Sequence, residues 1–432
     1  MRLAGRLSAA IEVLDDVLGC HRPASAALAD WGRGHRFAGS GDRSAIGTLV
    51  YDALRKRASL AWRMGDDSPR ALVLAATRWV WALGADEIAA LCDGSQHAPA
   101  PITPDELQRL ENADAPAGMP AWMAADIPEW LYPDFEAAFG EASIAEGQAL
   151  AERAHIDLRV NTLKADMSRL LKALDKYHPA ATPFSPMGVR IPAPGPQEKN
   201  PNIEAEAAHG RGWFEVQDEA SQIAVLLSGA APRLQVLDLC AGSGGKTLGM
   251  AALMQNTGQI HAYDSDKLRL RPIFERLKRA GARNVQLLPA GDLGALEGLT
   301  AKMDVVLADA PCSGSGVWRR RPDAKWRLTP EALSLRVEEQ RQVLTVAAAL
   351  VKPGGRLVYA TCSVIPAENA DQTRWFLSAF LEFQERAWRD SWPSYAAASM
   401  PSGAESDASA LQLTPYRHST DGFYISILER SA

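Results

Sequence analysis

Apolar positions along the first ninety or so residues recur at helical spacing. Ala9, Ile11, Val13, Leu14, Val17 and Leu18 make one such face. SAIGTLVYDALRKRASLAW makes a second through Ile46, Leu49, Val50, Leu54, Leu60 and Trp62. PRALVLAATRWVWALG makes a third, opening at Pro69 and stopping at Gly84. Its tryptophans read as core. The polar stretch DWGRGHRFAGSGDRS between the first two reads as a solvated loop, with a backbone-phosphate contact left open. SQHAPAPITPDELQRLENADAPAGMP is rich in proline and alanine, so 96–120 reads as a linker.

Helical spacing returns from Trp122 to His155, DLRVNTLKAD alternates as a strand does, and a helix is expected over Met167 to Leu174. Tyr177 to His209 shifts to proline, glycine and asparagine and reads as irregular structure or short hairpins. From Asp218 an amphipathic helix follows a strand-like GWFEV. Strands are then expected at Leu234–Leu239, Gln259–Tyr263, Val285–Leu288, Val305–Ala308 and Arg356–Thr361. Helices are expected at Lys246–Met254, Lys267–Ala280, Pro330–Val351 and Glu368–Phe380. That order predicts an α/β domain with a doubly wound, mostly parallel sheet. Ser391 to Ala410 reads as a loop, and LQLTPYRHSTDGFYISILER as a terminal strand pair around a turn. The expected division is 1–95 helical, 96–120 linker, 121–215 small α+β, and 216–432 catalytic.

Composition narrows the class. The 432 residues are 47% hydrophobic and 23% charged, enough for ample cores in more than one domain. No stretch approaches the ~20 apolar residues of a membrane span, and Glu12, Asp15 and Asp16 interrupt what a signal peptide would keep apolar. The 5 cysteines are scattered with no CxxC pair, which argues against a disulfide framework and for reduced thiols in the cytoplasm. No metal-ligand spacing stands out. The net charge of −6 disfavours a globally basic nucleic-acid binder but leaves room for a local basic stripe.

The candidate chemistry gathers at the ends of the expected strands. GSGGKT is disfavoured as a phosphate-wrapping loop of the Walker type, which needs a glycine five positions before the Gly-Lys pair where counting back from Gly245 reaches Cys240, although Lys246 and Thr247 keep it as a minor alternative. Gly242-x-Gly244 lacks the third glycine of a dinucleotide loop. Cys240, Ala241, Gly242, Ser243, Gly244, Gly245 and Lys246 suit S-adenosyl-L-methionine better, with loop amides facing its carboxylate. Asp264 ends the next strand, where an acid accepts from ribose hydroxyls, and Asp292 stands where it could reach the adenine amino group. Taken singly, either aspartate reads as a cap or turn former; in this order they favour a cofactor site.

DVVLADAPC and GGRLVYATCS bring Cys312 and Cys362 to the same carboxyl edge. Methylation at carbon 5 of cytosine needs a thiolate at carbon 6, a group to stabilise charge on the ring, and a base for the departing proton. Either cysteine could supply the thiol, and Asp309 is placed to meet the ring edge. VWRRRPDAKWRLTP follows at once, interleaving Arg319, Arg320, Arg321, Lys325 and Arg327 with Trp318 and Trp326. Such a run reads as a solvated loop or, beside a base pocket, as RNA contact.

Together RVNTLK, VQDEASQ, DLCAGSGGKT, YDSDKLR, DAPCSGSG, RRRPDAKW, YATCS and DGFYIS resemble the RsmB/Nop/Sun family of RNA cytosine-5 methyltransferases over nearly the whole chain. The resemblance implies a Rossmann-like methyltransferase domain. Before it would come an all-helical NusB-like domain, best matched by Ser40–Arg57, and a small RNA-recognition subdomain. It implies Cys362 as nucleophile and Cys312 as the group that assists release, with Lys246 near the centre and Asp264, Asp292 and Asp309 as cofactor contacts. It also implies RNA contacts from Arg159, Asn161 and Lys164, and from Arg319, Arg320, Arg321, Lys325 and Trp326. The implied partner is small-subunit ribosomal RNA, with transfer RNA or a non-catalytic assembly role as rivals, and the enzyme is expected to be monomeric. Gly242 and Ser243 stand where the family has Ala-Pro, which predicts a looser loop.

Overall fold

The computed structural model describes residues 1–401 and 409–432, and the chain divides into two compact units. The first comprises Met1–Arg153, Ala193–Pro201 and Val317–Leu328; the second comprises Ala154–Pro192, Asn202–Gly316 and Thr329–Ala432.

The first unit is built on helices Leu3–Gly19, Ala24–Gly34, Ser40–Arg55, Arg57–Met64 and Pro69–Ala75. Their apolar faces close over Leu7, Leu14, Ile46, Leu49, Leu54 and Leu72, all fully buried. Punctuation follows local chemistry. Ser68 accepts from Ala71 N with Pro69 in the first turn, and Gly84 opens the helix Ala85–Leu91 rather than merely ending the one before it. Asp52, 2% exposed, accepts from Arg55, Arg153 and the Trp81 indole, so one buried carboxylate ties three segments together.

One expectation needs correction here. Residues 96–120 are not a bare linker. Thr103 and Glu106 form a capping box that starts a helix at Pro104, Arg70 pairs with Glu106 at 2.7 Å, and Leu110 is fully buried. By contacts, 121–153 group with the N-terminal helices. A proline-rich composition concealed both the cap and its apolar anchor.

The second unit carries two sheets. Strands β1 (Ile156–Val160), β2 (Ala180–Ala181), β3 (Gly188–Ile191) and β4 (Phe214–Val216) form a small antiparallel sheet in the order β2-β3-β1-β4. The larger sheet contains β5 (Gln235–Asp238), β6 (Gln259–Ala262), β7 (Val285–Leu287), β8 (Met303–Asp309), β9 (Val351–Thr361), β10 (Phe383–Arg386), β11 (Leu411–Leu413) and β12 (Phe423–Arg430). Its order is β10-β12-β9-β8-β5-β6-β7, with β11 paired to β12. Strands β5 to β9 are mutually parallel, and β12 runs antiparallel to β9.

The alternation of side chains builds two cores. Val236, Val305, Leu307, Val358 and Ala360 pack with Ile223, Met250 and Met254 on one face. Leu237, Val306, Ala308, Leu357 and Tyr359 pack with Leu344, Ala347 and Phe376 on the other. The expected helix over Lys267–Ala280 is broken into Lys267–Leu270 and Ile273–Ala280 at Pro272, which cannot donate within a helix. Of the loop expected over 391–410, residues 402–408 lie outside the described residues, and the preceding part forms short turns at Trp388–Ser391 and Ser394–Ser399. No described helix is long and apolar enough to cross a membrane.

The stretch Val317–Leu328 belongs to the first unit, and its charges are largely internal. Lys325 is fully buried and donates to Arg55 O at 3.0 Å, while the Trp326 indole donates to Leu54 O at 2.6 Å. Arg319 is 4% exposed, and its carbonyl accepts from Arg55. Arg319 and Lys325 are therefore not surface RNA contacts; with the half-buried Trp326 they strap this segment onto the helices. Arg320 is half-buried and Arg321 exposed.

Burial pushes the Lys325 ammonium down to about 8 from its ordinary 10.5. Between those values the unfolded chain holds a proton that the folded chain has released, so this group's penalty is complete below about pH 8 and is relieved as pH rises. Lys325→Met should therefore be most favourable relative to wild type near neutral pH. Denaturant titrations at about pH 7 and about pH 10 should show the difference between the two proteins narrowing by roughly 1–3 kcal/mol. A gap that does not change with pH would mean Lys325 is not charged and buried as described.

Candidate active site

Strand order reverses between β5 and β8, and the functional side chains sit on the loops that leave the carboxyl ends of the parallel strands. After β5 the loop Cys240–Gly244 feeds the helix Gly245–Leu253. Gly244 has φ +86, and a Cβ there would collide with Ile273, so only glycine fits. Asp264, 2% exposed at the end of β6, holds the loop through Gly242 N at 2.8 Å and turns its own segment through Asp266 N at 2.8 Å. Each of its oxygens keeps acceptor capacity for a further donor.

The loop is also braced from outside. Arg276 donates to Ser243 O at 3.0 Å and to Ser243 Oγ at 2.6 Å, and Glu215 holds Arg276 and Arg279. Arg159 donates to Gly245 O at 2.7 Å and to Gln217. Asn161 donates to Gly212 O and Ala280 O, both at 2.8 Å. At 2% and 6% exposure, Arg159 and Asn161 are not RNA contacts as expected from the sequence: they position backbone. Lys164, in the same motif, is exposed.

Beside this loop lies a cavity of about 620 Å³, lined by Leu239, Cys240, Tyr263, Asp264, Gly291 and Leu293 among others. Its size and mixed apolar and carboxylate walls suit a nucleoside-sized ligand. Asp292 itself is turned to its own chain, accepting from Gly294 N at 2.9 Å, while its neighbours Gly291 and Leu293 line the cavity. Ala241 is 8% exposed and bonds through its amide to Tyr263 O at 2.8 Å. Burial, with Asp309, Asp264 and Asp238 nearby, pushes the Cys240 thiol up, which removes it as a nucleophile. Asp238 is pushed up to about 7 by burial; Thr247 donates to its Oδ2 at 2.6 Å, and its Oδ1 has no protein partner.

Lys246 Nζ meets Asp309 Oδ2 at 2.6 Å and lies 4.9 Å from the centre of the Phe423 ring. The loops after β8 and β9 bring Cys312 Sγ to 3.4 Å from Cys362 Sγ. Cys312 is held well above the ordinary thiol range, first by its hydrogen bond with Cys362 and then by burial. It therefore keeps its proton beside the Cys362 sulfur. The close crossing of Gly316 and Gly422 lets the last strand pass this loop: a Cβ on either would meet the other's backbone, and Gly422 N donates to Gly316 O at 2.8 Å.

The sequence reading did not single out Glu368. It is fully buried, and burial raises its pKa. It accepts from Ser313 N at 2.7 Å, from Ser313 Oγ and Ser363 Oγ at 2.5 Å each, and from Gln340 at 3.2 Å. One carboxyl group thus joins the residue after each cysteine. An acid six positions beyond Cys362, in an otherwise apolar helix entry, was the available signal. Among the described residues no group of acids, histidines and cysteines could hold a metal ion.

This geometry agrees with comparisons to known proteins. Residues 226–429 match the model of the 16S rRNA methyltransferase RsmB/F domain, and residues 127–198 match the ferredoxin-like domain of RsmF/B-like methyltransferases. The chain is 32% identical to a probable ribosomal RNA small subunit methyltransferase B of Synechocystis, over 71% of this chain and 67% of that protein. It is 34% identical to ribosomal RNA small subunit methyltransferase B of Cronobacter sakazakii, over 58% of this chain and 57% of the relative. The fold matches the crystal structure of the protein PH0851 with a TM-score of 0.74 and 26% identity, covering 100% of this chain and 99% of that one. The chain belongs to the RsmB/F family of RNA methyltransferases, which take their methyl group from S-adenosyl-L-methionine.

Proposed function

We propose that this chain forms 5-methylcytosine in small-subunit ribosomal RNA, with Cys362 as nucleophile and Cys312 assisting release. The observation that carries the reading is the pair of sulfurs 3.4 Å apart at the carboxyl edge, one of them held protonated. A methyltransferase acting on a nucleophilic oxygen or nitrogen has no need of two adjacent thiols.

S-adenosyl-L-methionine supplies an electrophilic methyl group on a sulfonium. The chain's part begins with Cys362, whose sulfur lies 3.4 Å from that of Cys312 and adds as the thiolate at carbon 6. Addition makes carbon 5 electron-rich. Lys246, fixed by Asp309, offers a cation for charge that builds on the ring edge, and Asp309 offers an acceptor for the exocyclic amine. After methyl transfer, carbon 5 loses its proton to a base and the Cys362 thiolate is expelled. Cys312, in contact with that sulfur, is the group positioned to help it leave. For the cofactor, Asp264 is the ribose acceptor, and the loop Cys240–Lys246 and the helix start provide amides. The preference for small-subunit ribosomal RNA rests on the named relatives.

Labelled methyl transfer to unmodified RNA tests the reaction. Cys362→Ala should abolish label in 5-methylcytosine, and Cys312→Ala should accumulate a protein–RNA adduct that survives denaturing electrophoresis. Label confined to small RNAs would move the substrate to transfer RNA, and no label with any RNA would favour an assembly role.

Asp264→Ala should weaken cofactor binding by about tenfold or more, the loss of roughly 1.4 kcal/mol; calorimetry giving unchanged affinity removes Asp264 from the site. Glu368→Ala should lower the methyl-transfer rate by about two orders of magnitude, the cost of a misplaced reacting group. Cofactor affinity in that variant should hold; an unchanged rate would show that the loops need no brace.

A further inference from the structure

With the segment Val317–Leu328 strapped into the first unit and Arg159 and Asn161 buried, most of the cations that the sequence offers to RNA are engaged in structure. Lys164, one of those expected, stands exposed in the second unit with two further cations. Lys164 follows β1, Arg169 lies on the helix Met167–Ala173, and Arg211 precedes β4; all three are exposed, and they gather around Trp213. The Arg169 guanidinium carbon is 4.0 Å from the indole centroid and that of Arg211 is 5.2 Å away. Lys164 Nζ donates to Arg279 O at 2.7 Å and to Arg211 O at 3.4 Å, both uncharged acceptors.

A salt-bridge network would leave such a cluster neutral. Here the nearby carboxylate, Asp166, caps the helix, its Oδ1 taking Arg169 N and Ser168 Oγ at 2.8 Å each. Among the described residues none of the three cations forms an ion pair. Compare Lys176 on the same subdomain, paired with Glu206 at 2.9 Å, and Arg190, paired with Asp157 at 2.7 Å. In a chain of net charge −6, a cluster with three cations to one committed acid is a local excess of positive charge. Indole contact fixes the two guanidiniums in place while leaving N–H edges for acceptors, which lowers the entropy lost on binding an anion.

The cluster is also tied to the cofactor loop. Lys164 bonds to Arg279 O at the end of the helix Ile273–Ala280. Asn161 bonds to Ala280 O and to Gly212 O, fixing that helix end beside the Arg211–Trp213 turn. On the same helix, Arg276 bonds to Ser243 of the cofactor loop.

We propose that Lys164, Arg169 and Arg211, organised around Trp213, form a platform for the sugar–phosphate backbone of the RNA substrate. The proposal rests on the reading of this chain as an RNA methyltransferase but not on which atom is methylated. Phosphate oxygens are matched by guanidinium forks and an ammonium; the platform positions the strand, and sequence is read elsewhere.

The test is fluorescence anisotropy with an unmodified small-subunit ribosomal RNA transcript, over a series of salt concentrations. Replacing all three residues by alanine should weaken binding by about tenfold or more. The log–log salt slope should fall by about 2, at ~0.7 for each phosphate that is no longer neutralised. Cofactor affinity, read by calorimetry, should hold. The control Lys176→Ala, whose charge is already paired, should bind RNA as wild type does. Should the triple variant lose cofactor binding, Arg169→Gln with Arg211→Gln keeps the bulk around Trp213 and should still lower the slope by about 1. Unchanged affinity and slope with cofactor binding intact would overturn the platform. A platform confirmed alongside a wild type that makes no 5-methylcytosine would sink the proposed chemistry and leave this inference standing.

Discussion

Much of the catalytic edge depends on one buried carboxyl group. Glu368 has no access to water and meets the residues after Cys312 and Cys362, so the loops leaving β8 and β9 share a single acceptor. The surrounding bonds reinforce it. Gln340 also donates to Pro311 O at 2.9 Å, Ser315 Oγ lies 2.9 Å from Ser363 Oγ, and Gly316 N donates to Cys362 O at 3.0 Å. Each buried donor left without its partner costs about 1–3 kcal/mol, so the loops have strong reason to stay together. The short sulfur–sulfur distance follows from that constraint. Adjacent strands alone would not set it, because loops of this length have ample freedom to splay.

A second brace acts on the cofactor loop, and it accounts for the departure at Gly242 and Ser243. The resemblance implies Ala-Pro at these positions, and proline restricts its own loop by fixing φ. Here the restriction is external. Asp264 holds Gly242 N, and Arg276 takes both the carbonyl and the hydroxyl of Ser243. Glu215 in turn fixes Arg276 and Arg279. The serine is thus one partner in a network whose other members lie on β4 and on the helix after β6. A loop that reads as loosened in the sequence is held in the fold by contacts 22 and 33 residues distant.

Those distances explain what was legible. Periodicity located β5 to β9, the glycine loop and both thiols, because each is a local pattern ending at the same sheet edge. The terminal pair, β11 with β12, was legible for the same reason. Glu368 was not, since a lone acid in a helix entry carries no sign of its four donors. The Val317–Leu328 stretch misled for a related reason. A run of cations and tryptophans looks identical whether it faces solvent or closes on a helix, and Lys325 finds Arg55 O only after folding. The capping box at Thr103 was present in the sequence as T-P-D-E, but the proline-rich surroundings outweighed it.

An acidic chain that handles RNA must separate structural cations from binding ones, and pairing makes the separation. Arg55 and Arg153 share Asp52, Arg190 holds Asp157, and Arg276 and Arg279 share Glu215, so each of these charges is satisfied inside the protein. Arg190 with Asp157 contributes little long-range field, whereas two arginines on one carboxylate leave one positive charge uncompensated but committed to the fold. What a polyanion senses is the remainder. Around Trp213 the remainder is positive and fixed in place, and it is anchored to the helix that also braces the cofactor loop. Net charge therefore says little about this protein's partner. Which cations lack a carboxylate says more, and that is a property of the fold rather than of the composition.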